Sequence, residues 1–381
     1  MESYLEYLDR QMNRALDRLG EGENEREPIG ILCHYVPEEV LHAAGFQPVR
    51  LFGRVPQVEL ADRHLQSYVC SHVRGVLEDF LAGRYGALKG VVFGHTCDTM
   101  QGFFDVFRRN HPDRYVHQVN FPSRLTGEAA FRYALEEFHL FQASVERLAG
   151  RPIDEEVFEQ SVSLHDRVRR LLEDLYGVHA AAPDLVTGAT VLKSVVVAMT
   201  SDKETFAHAL AGYLDSVGER PGKDRGSRLR LMIVGSVLPD PGIHELIDDL
   251  GATVVTDDLC TGFRYVLRRS AGSGLEGLAR QYFEQAFCPA KHRGVEARAE
   301  VLTERARRFG VDGVLFVHLK FCDPHAFDYP YLRDALEGAG MATQVVELAH
   351  VGGVGGQVET KIEAFVELLA RRRRGGGRVR G

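Results

Sequence analysis

The chain has 381 residues, 44% of them hydrophobic, more than one core usually absorbs, because single cores rarely grow beyond about 250–300 residues. Its formal net charge of −8 comes from 46 basic and 54 acidic residues that are interspersed, so no bulk field draws it to nucleic acid or anionic lipid. No stretch approaches the roughly 18 uninterrupted apolar residues of a membrane span, and the first residues lack an apolar signal core, so a cytoplasmic protein off the membrane is expected.

Residues 1–27, MESYLEYLDRQMNRALDRLGEGENERE, read as a charged amphipathic helix. Over 28–126 short apolar runs alternate with amphipathic stretches. IGILCHY, QPVRLFG, LKGVVFGHTCD and RYVHQVNFP read as strands, and PEEVLHAAG, SHVRGVLEDFLAG and TMQGFFDVFRR as helices. Such alternation predicts an α/β domain, a parallel sheet with helices on both faces. Over 127–226 the apolar residues fall at helical spacing, as in GEAAFRYALEEFHLFQASVERLAG, which predicts a helical connector closed by the breaker-rich SVGERPGKDRGSR. The first pattern then recurs over 227–371, opening with RLRLMIVGSVLPDPGIHELIDDLGATVVTDD. Residues 372–381, arginines dissolving into glycine, read as a solvated, disordered basic tail.

The two α/β halves form a pseudo-repeat. In the first, Cys70 opens a helix containing Arg74, and a later strand ends at Cys97-Asp98; in the second, Cys288 precedes a helix containing Arg293, and a strand ends at Cys322-Asp323. Cys33, at the end of the first strand, and Cys260, after VVTDDL, bring each half to three cysteines. The carboxyl ends of parallel strands form a ligand crevice, so two facing sheets can bring up to six thiols to one cleft.

Free cysteine often packs as a small hydrophobe, and any one of these thiols has that reading. The set does not, because every member is bordered by turn or polar residues. No pair has CxxC spacing, which excludes zinc ribbons, thioredoxin-like motifs and local ferredoxin motifs. Thiolates arriving from distant points in the chain suit a soft-metal centre. An iron–sulfur cluster and zinc held across the domains both remain open on this ground.

Several ordered motifs carry a resemblance: GILCHYVPEEVLHAAGFQPVRLFG, VCSHVRGVLEDFLAGRYGALKGVVFGHTCDTM, VVTDDLCTGFRY, DGVLFVHLKFCDPHAFDYPYLRDAL and GQVETKIEAFVELL. Together they resemble the 2-hydroxyacyl-CoA dehydratase and benzoyl-CoA reductase family from Pro28 to about Arg371. The resemblance implies two Rossmann- or flavodoxin-like domains with a [4Fe–4S] cluster in the cleft between them, on Cys70, Cys97 and Cys322. It also implies a separate ATP-hydrolysing iron–sulfur activator, ketyl radical chemistry on an acyl-CoA or aryl-CoA, and pairing with a homologous subunit or with a second copy.

A related branch carries a double-cubane [8Fe–9S] cluster on six cysteines, which adds Cys33, Cys260 and Cys288 as further ligands; the KFCDP context is closer to the acyl-CoA branch. An electron carrier without substrate chemistry is a third reading. The resemblance places Cys33, His34 and Glu39 on the active-site wall, although Glu38 and Glu39 also suit the first turn of a helix as plain acids. The glycine-rich entry to the last helix, Gly352, Gly353, Gly355, Gly356 and Gln357, is expected to bind a phosphate or a cluster sulfide. Lys361 stands where the family usually has arginine.

Overall fold

A computed structural model of the chain describes residues 2–21, 26–53, 58–218, 228–285, 288–291 and 293–376. Two four-stranded parallel sheets form its frame. The first contains β1 (Pro28–Leu32), β2 (Gln47–Arg50), β3 (Gly90–Gly94) and β4 (Tyr115–Val119) in the order β2-β1-β3-β4. The second contains β5 (Leu229–Gly235), β6 (Ala252–Asp258), β7 (Gly313–Leu319) and β8 (Ala342–Leu348) in the order β6-β5-β7-β8. The two orders are the same, so the α/β pseudo-repeat read from the sequence is the architecture, and its order is the flavodoxin-like one. Both β1 and β3 are buried at every position, which is why they read as unbroken apolar runs rather than as alternation.

In the first half the crossovers are α2 (Glu38–Ala43), α3 (Ser71–Leu81) and α4 (Asp98–Asn110). In the second they are α9 (Gly242–Asp249), α12 (Val295–Arg308) and α13 (Asp323–Gly338), with α14 (Gly356–Gly376) closing the chain. Between the halves run α5 (Glu128–Ala149), α6 (Glu155–Ala181), α7 (Gly188–Thr200) and α8 (Lys203–Gly218), the helical connector. Asp154 caps α6 and Thr187 caps α7 through side-chain oxygens, satisfying amides that a helix start leaves unpaired. The N-terminal helix α1 (Tyr4–Glu21) packs on α7 and joins the core of the second sheet through Tyr7 and Leu8.

The core of the first half recruits residues from late in the chain. After β6 come α10 (Phe263–Val266) and α11 (Gly274–Gln285). Leu278, Ala279, Tyr282 and Phe283 of α11 pack with Ile29 and Phe121 of the first half and Phe138 of α5. The segment from α11 to Cys288 therefore belongs physically to the wall of the first sheet.

Two local expectations change. Arg293 precedes its helix, because α12 starts only at Val295 behind Gly294, whose φ of 118° is ordinary for glycine alone. The basic tail is helical through Gly376: Arg371 pairs with Glu367 one turn back, and Arg373 donates to the Arg228 carbonyl at 3.0 Å. Its last five residues, 377–381, lie outside the described residues, as does most of the breaker-rich stretch, 219–227. Among the described residues no helix is long and apolar enough to cross a membrane.

Candidate metal centre

In each sheet the chain reverses its direction of winding between the two central strands, β1 and β3 or β5 and β7. Ligands bind outside the carboxyl ends of strands at such a switch point. Cys33 directly follows β1 and Cys97 lies just beyond β3, so the two flank the switch point of the first sheet. Cys322 lies just beyond β7 and Cys260 just beyond β6. Cys70, Cys97 and Cys322 share one local device: each is the N-cap residue of its helix, α3, α4 or α13. None closes a full capping hydrogen bond, yet the backbone N–H three residues on, at Val73, Met100 or His325, favours the charged thiolate in each case.

All six cysteines are free, and they lie within electrostatic reach of one another. Burial pushes the Cys70 thiol up to about 12, and a charge on Cys97 adds to this. Burial also raises Cys322, followed by the charges of Cys70, Cys97 and Cys260. Cys288, likewise at about 12 through burial, feels Cys260 and Cys33, and Cys97 feels Cys33. First-half and second-half thiols thus lie close enough to feel one another's charge. Among the described residues no group of three or more His, Cys, Asp or Glu is arranged to hold a single metal ion.

Cations and unpaired polar atoms surround these thiols. Arg50 (7% exposed) acts on Cys33 and Cys260, and its buried Nη1 has no partner among the described residues. Lys291 donates to the Phe121 carbonyl at 2.6 Å and lies within reach of Cys33, Cys288 and Cys97. Arg264 Nη1 donates to Cys260 Sγ at 3.2 Å. Both ring nitrogens of His34 and of His72 are buried without partners among the described residues. Cys33 itself has φ 115°, a left-handed conformation that favours glycine. Gly94 permits it, since a Cβ there would sit 2.8 Å from Cys33 Cβ.

The sequence profile of 2-hydroxyglutaryl-CoA dehydratase, D-component, matches residues 33–369, a span that takes in all six cysteines. The chain belongs to that family. It is 24% identical over 349 residues to the (R)-phenyllactyl-CoA dehydratase beta subunit of Clostridium sporogenes, covering 90% of this chain and 92% of that one. It is 26% identical over 322 residues to a benzoyl-CoA reductase subunit of Thauera aromatica, covering 82% and 83%. With the (R)-2-hydroxyglutaryl-CoA dehydratase subunit beta of Acidaminococcus fermentans it shares 23% identity over 356 residues, covering 90% and 93%.

Within this family member, the Cys33-His34 turn is tied to the second half. Arg268 Nη1 donates to the His34 carbonyl at 2.9 Å, and Tyr35 OH donates to the Lys291 carbonyl at 3.2 Å. The His34 imidazole is neutral, held well below its usual range by burial and then by Arg268, Arg264 and Arg50. Glu39, at the start of α2, lies in a buried polar network. Its side chain is wholly buried, with Oε1 on Arg169 Nη2 at 2.5 Å and Oε2 accepting from Tyr282 OH at 2.8 Å. Glu38 sits in the same network, 3.1 Å from Lys203 Nζ and 3.2 Å from Arg169. Burial alone would raise the Glu38 carboxyl, but Lys203, His165 and Arg169 together hold it well below the usual carboxylate range.

The glycine loop follows β8. Gly352 lines a cavity of about 580 Å³ with Val351, Asp240, Phe52, Lys193 and Asp9, and no cysteine lines it among the described residues. Gly353, with φ 92°, and Gly355, Gly356 and Gln357 are exposed and lead into α14. Sequence reasoning missed Arg50, Arg264, Arg268 and Lys291. A signal existed for Arg264, which stands inside VVTDDLCTGFRY one helical turn after Cys260; Arg50 and Arg268 had none.

Proposed function

We propose that this chain is a subunit of a 2-hydroxyacyl-CoA dehydratase or benzoyl-CoA reductase type enzyme that holds a [4Fe–4S] cluster on Cys70, Cys97 and Cys322. The observation that carries this reading is that three N-cap cysteines, delivered by three separate crossovers, come within electrostatic reach of one another. The family and the relatives named as dehydratase and reductase subunits support the enzyme class. They also support a homologous second subunit, or a second copy of this chain, as partner.

The residues suit such a group. Soft thiolates are its usual ligands, and three of them leave one position open to substrate. Thiols this reluctant to ionise become ligands when the metal displaces their protons. Arg50 Nη1 and the imidazole of His34 are buried polar groups without partners. A group left so costs about 1–3 kcal/mol, and a sulfide or a thioester oxygen would satisfy it. When bound, the cluster supplies a low-potential electron, received from a separate ATP-hydrolysing activator, to the thioester of an acyl-CoA or aryl-CoA. His34 would offer one N–H and one lone pair to the substrate beside Cys33. Glu39, with both oxygens engaged, would anchor α2 and so position that turn without touching substrate. The amides that begin α14, in the loop Gly352, Gly353, Gly355, Gly356 and Gln357, would hold a CoA phosphate.

A second reading adds Cys33, Cys260 and Cys288 as ligands of a double-cubane [8Fe–9S] cluster. The electrostatic reach of Cys33 to Cys97, of Cys260 to Cys322 and of Cys288 to Cys33 and Cys260 favours it. Anaerobic purification followed by iron and acid-labile sulfide analysis tests both readings. About four irons per chain supports the first, and about twice that the second. A protein that stays free of iron after reconstitution sinks both.

A further inference from the structure

Arg264 is only 2% exposed, and its guanidinium is held on every nitrogen. Nε donates to Asp258 Oδ1 at 3.1 Å and Nη1 to Cys260 Sγ at 3.2 Å, while Nη2 donates to the Asp258 carbonyl at 2.5 Å and to the Gly235 carbonyl. Gly235 ends β5, at the switch point of the second sheet. The planar fork therefore has one orientation available to it.

Its charge is only partly offset within the protein. The Asp258 carboxylate that pairs with Arg264 also takes Arg298 Nη2 at 2.6 Å, and Arg298 reaches Asp328 at 2.6 Å. Two buried guanidinia thus share Asp258. Arg305, whose Nη1 donates to the Asp257 carbonyl at 2.8 Å, adds a third cation nearby. What remains of the Arg264 charge falls on the thiol side, where Cys260 and Cys288 lie within its field. Cys260 is itself within reach of Cys33 and Cys322.

A fixed cation in a water-poor site stabilises whichever state of its neighbour is more negative. For a centre that accepts one electron, that is the reduced state. We propose that Arg264 is a positioning residue that orients Cys260 and holds a permanent positive charge beside the metal centre, making its one-electron reduction easier. The inference rests on the iron–sulfur reading of the site.

The test uses the full chain, purified anaerobically and loaded with iron and sulfide, as wild type, R264Q, R264K and D258N. Iron content and the midpoint potential, followed by electron paramagnetic resonance during titration with a chemical reductant, are the readouts. R264Q should be harder to reduce by at least tenfold, a lowering of about 59 mV for one electron. R264K, which keeps the charge but loses the fork, should recover most of that shift. D258N removes the shared counter-charge and should move the potential the opposite way. A residue that merely held the fold would not shift two variants in opposite directions. Should R264Q lose its iron, D258N decides alone. Unmoved potentials in iron-loaded variants, or a fall in D258N, overturn the inference and leave the cluster reading standing. A wild type without iron removes the reading and the inference with it.

Discussion

Glu39 on α2 and Arg169 on α6 meet at 2.5 Å with neither side chain exposed. The pair fastens the helix that follows the Cys33 turn to the connector, and Tyr282 of α11 takes the other Glu39 oxygen. Removing one partner of a buried pair leaves an uncompensated charge and typically costs about 3–5 kcal/mol. Urea unfolding of R169M, which leaves Glu39 without its cation, should show a loss of that order, and E39L a smaller one, because Arg169 keeps Glu38 at 3.2 Å. The double variant should lose less than the sum of the two, because neither charge is then orphaned. Strictly additive losses would mean that the two side chains do not depend on each other.

Gly94 and Cys33 give a second prediction. An alanine methyl at position 94 would have to occupy space 2.8 Å from Cys33 Cβ and 3.3 Å from its sulfur. Because the contact is at the root of the side chain, Cys33 cannot yield by rotating. G94A should lose about 1–3 kcal/mol, the usual range for overpacking. Cys33 should also become more reactive toward iodoacetamide in the native protein, read by mass spectrometry. Unchanged stability and unchanged labelling would show that the two backbones separate easily.

What the sequence disclosed follows from the range of the forces involved. Covered parallel strands are apolar on both faces, so β1, β3, β5 and β7 were legible as runs. Cys70, Cys97 and Cys322 were legible because a helix start carries its own local signature in Ser71, Asp98 and Asp323-Pro324. Contacts across the chain left no such trace. Glu39 reads locally as a first-turn acid, and nothing near it announces Arg169 or Tyr282. Likewise α11 looks like any amphipathic helix, and only the folded chain reveals that Tyr282 and Phe283 complete the core of the other half. The cations around the thiols were hidden for the same reason: Arg50 and Lys291 reach Cys33 from opposite ends of the sequence.

Buried neutral histidines set the acid limit of stability. Burial, followed by His179, lowers His244 to about 3, and burial with Arg147 lowers His117 to about 4. In the unfolded chain these rings take up a proton as pH falls through about 6.5, while in the folded chain they do not. The unfolded state then binds more protons, so stability drops as pH falls below about 6.5. It continues to drop until the folded values are reached, at about 1.4 kcal/mol per pH unit for a fully buried ring such as His244. Urea midpoints measured between pH 7.5 and 4.5 should fall accordingly, and H244Q should remove one such increment from the slope. A flat profile over that window would contradict the burial of these rings.

The two groups of cysteines separate the two cluster readings. Cys322 belongs to the ligand set in both, so Cys322→Ala should lower iron content in either case; full iron in this variant would refute its role as a ligand. Cys288 belongs to the set only in the double-cubane reading. Under the single-cluster reading, Cys288→Ala should keep its iron and its visible spectrum. It should lose only the small packing contribution of a thiol that is 8% exposed and buried among Phe283, Tyr282 and Phe121. Loss of about half the iron from Cys288→Ala, with unfolding unchanged, would instead assign Cys33, Cys260 and Cys288 to the metal centre.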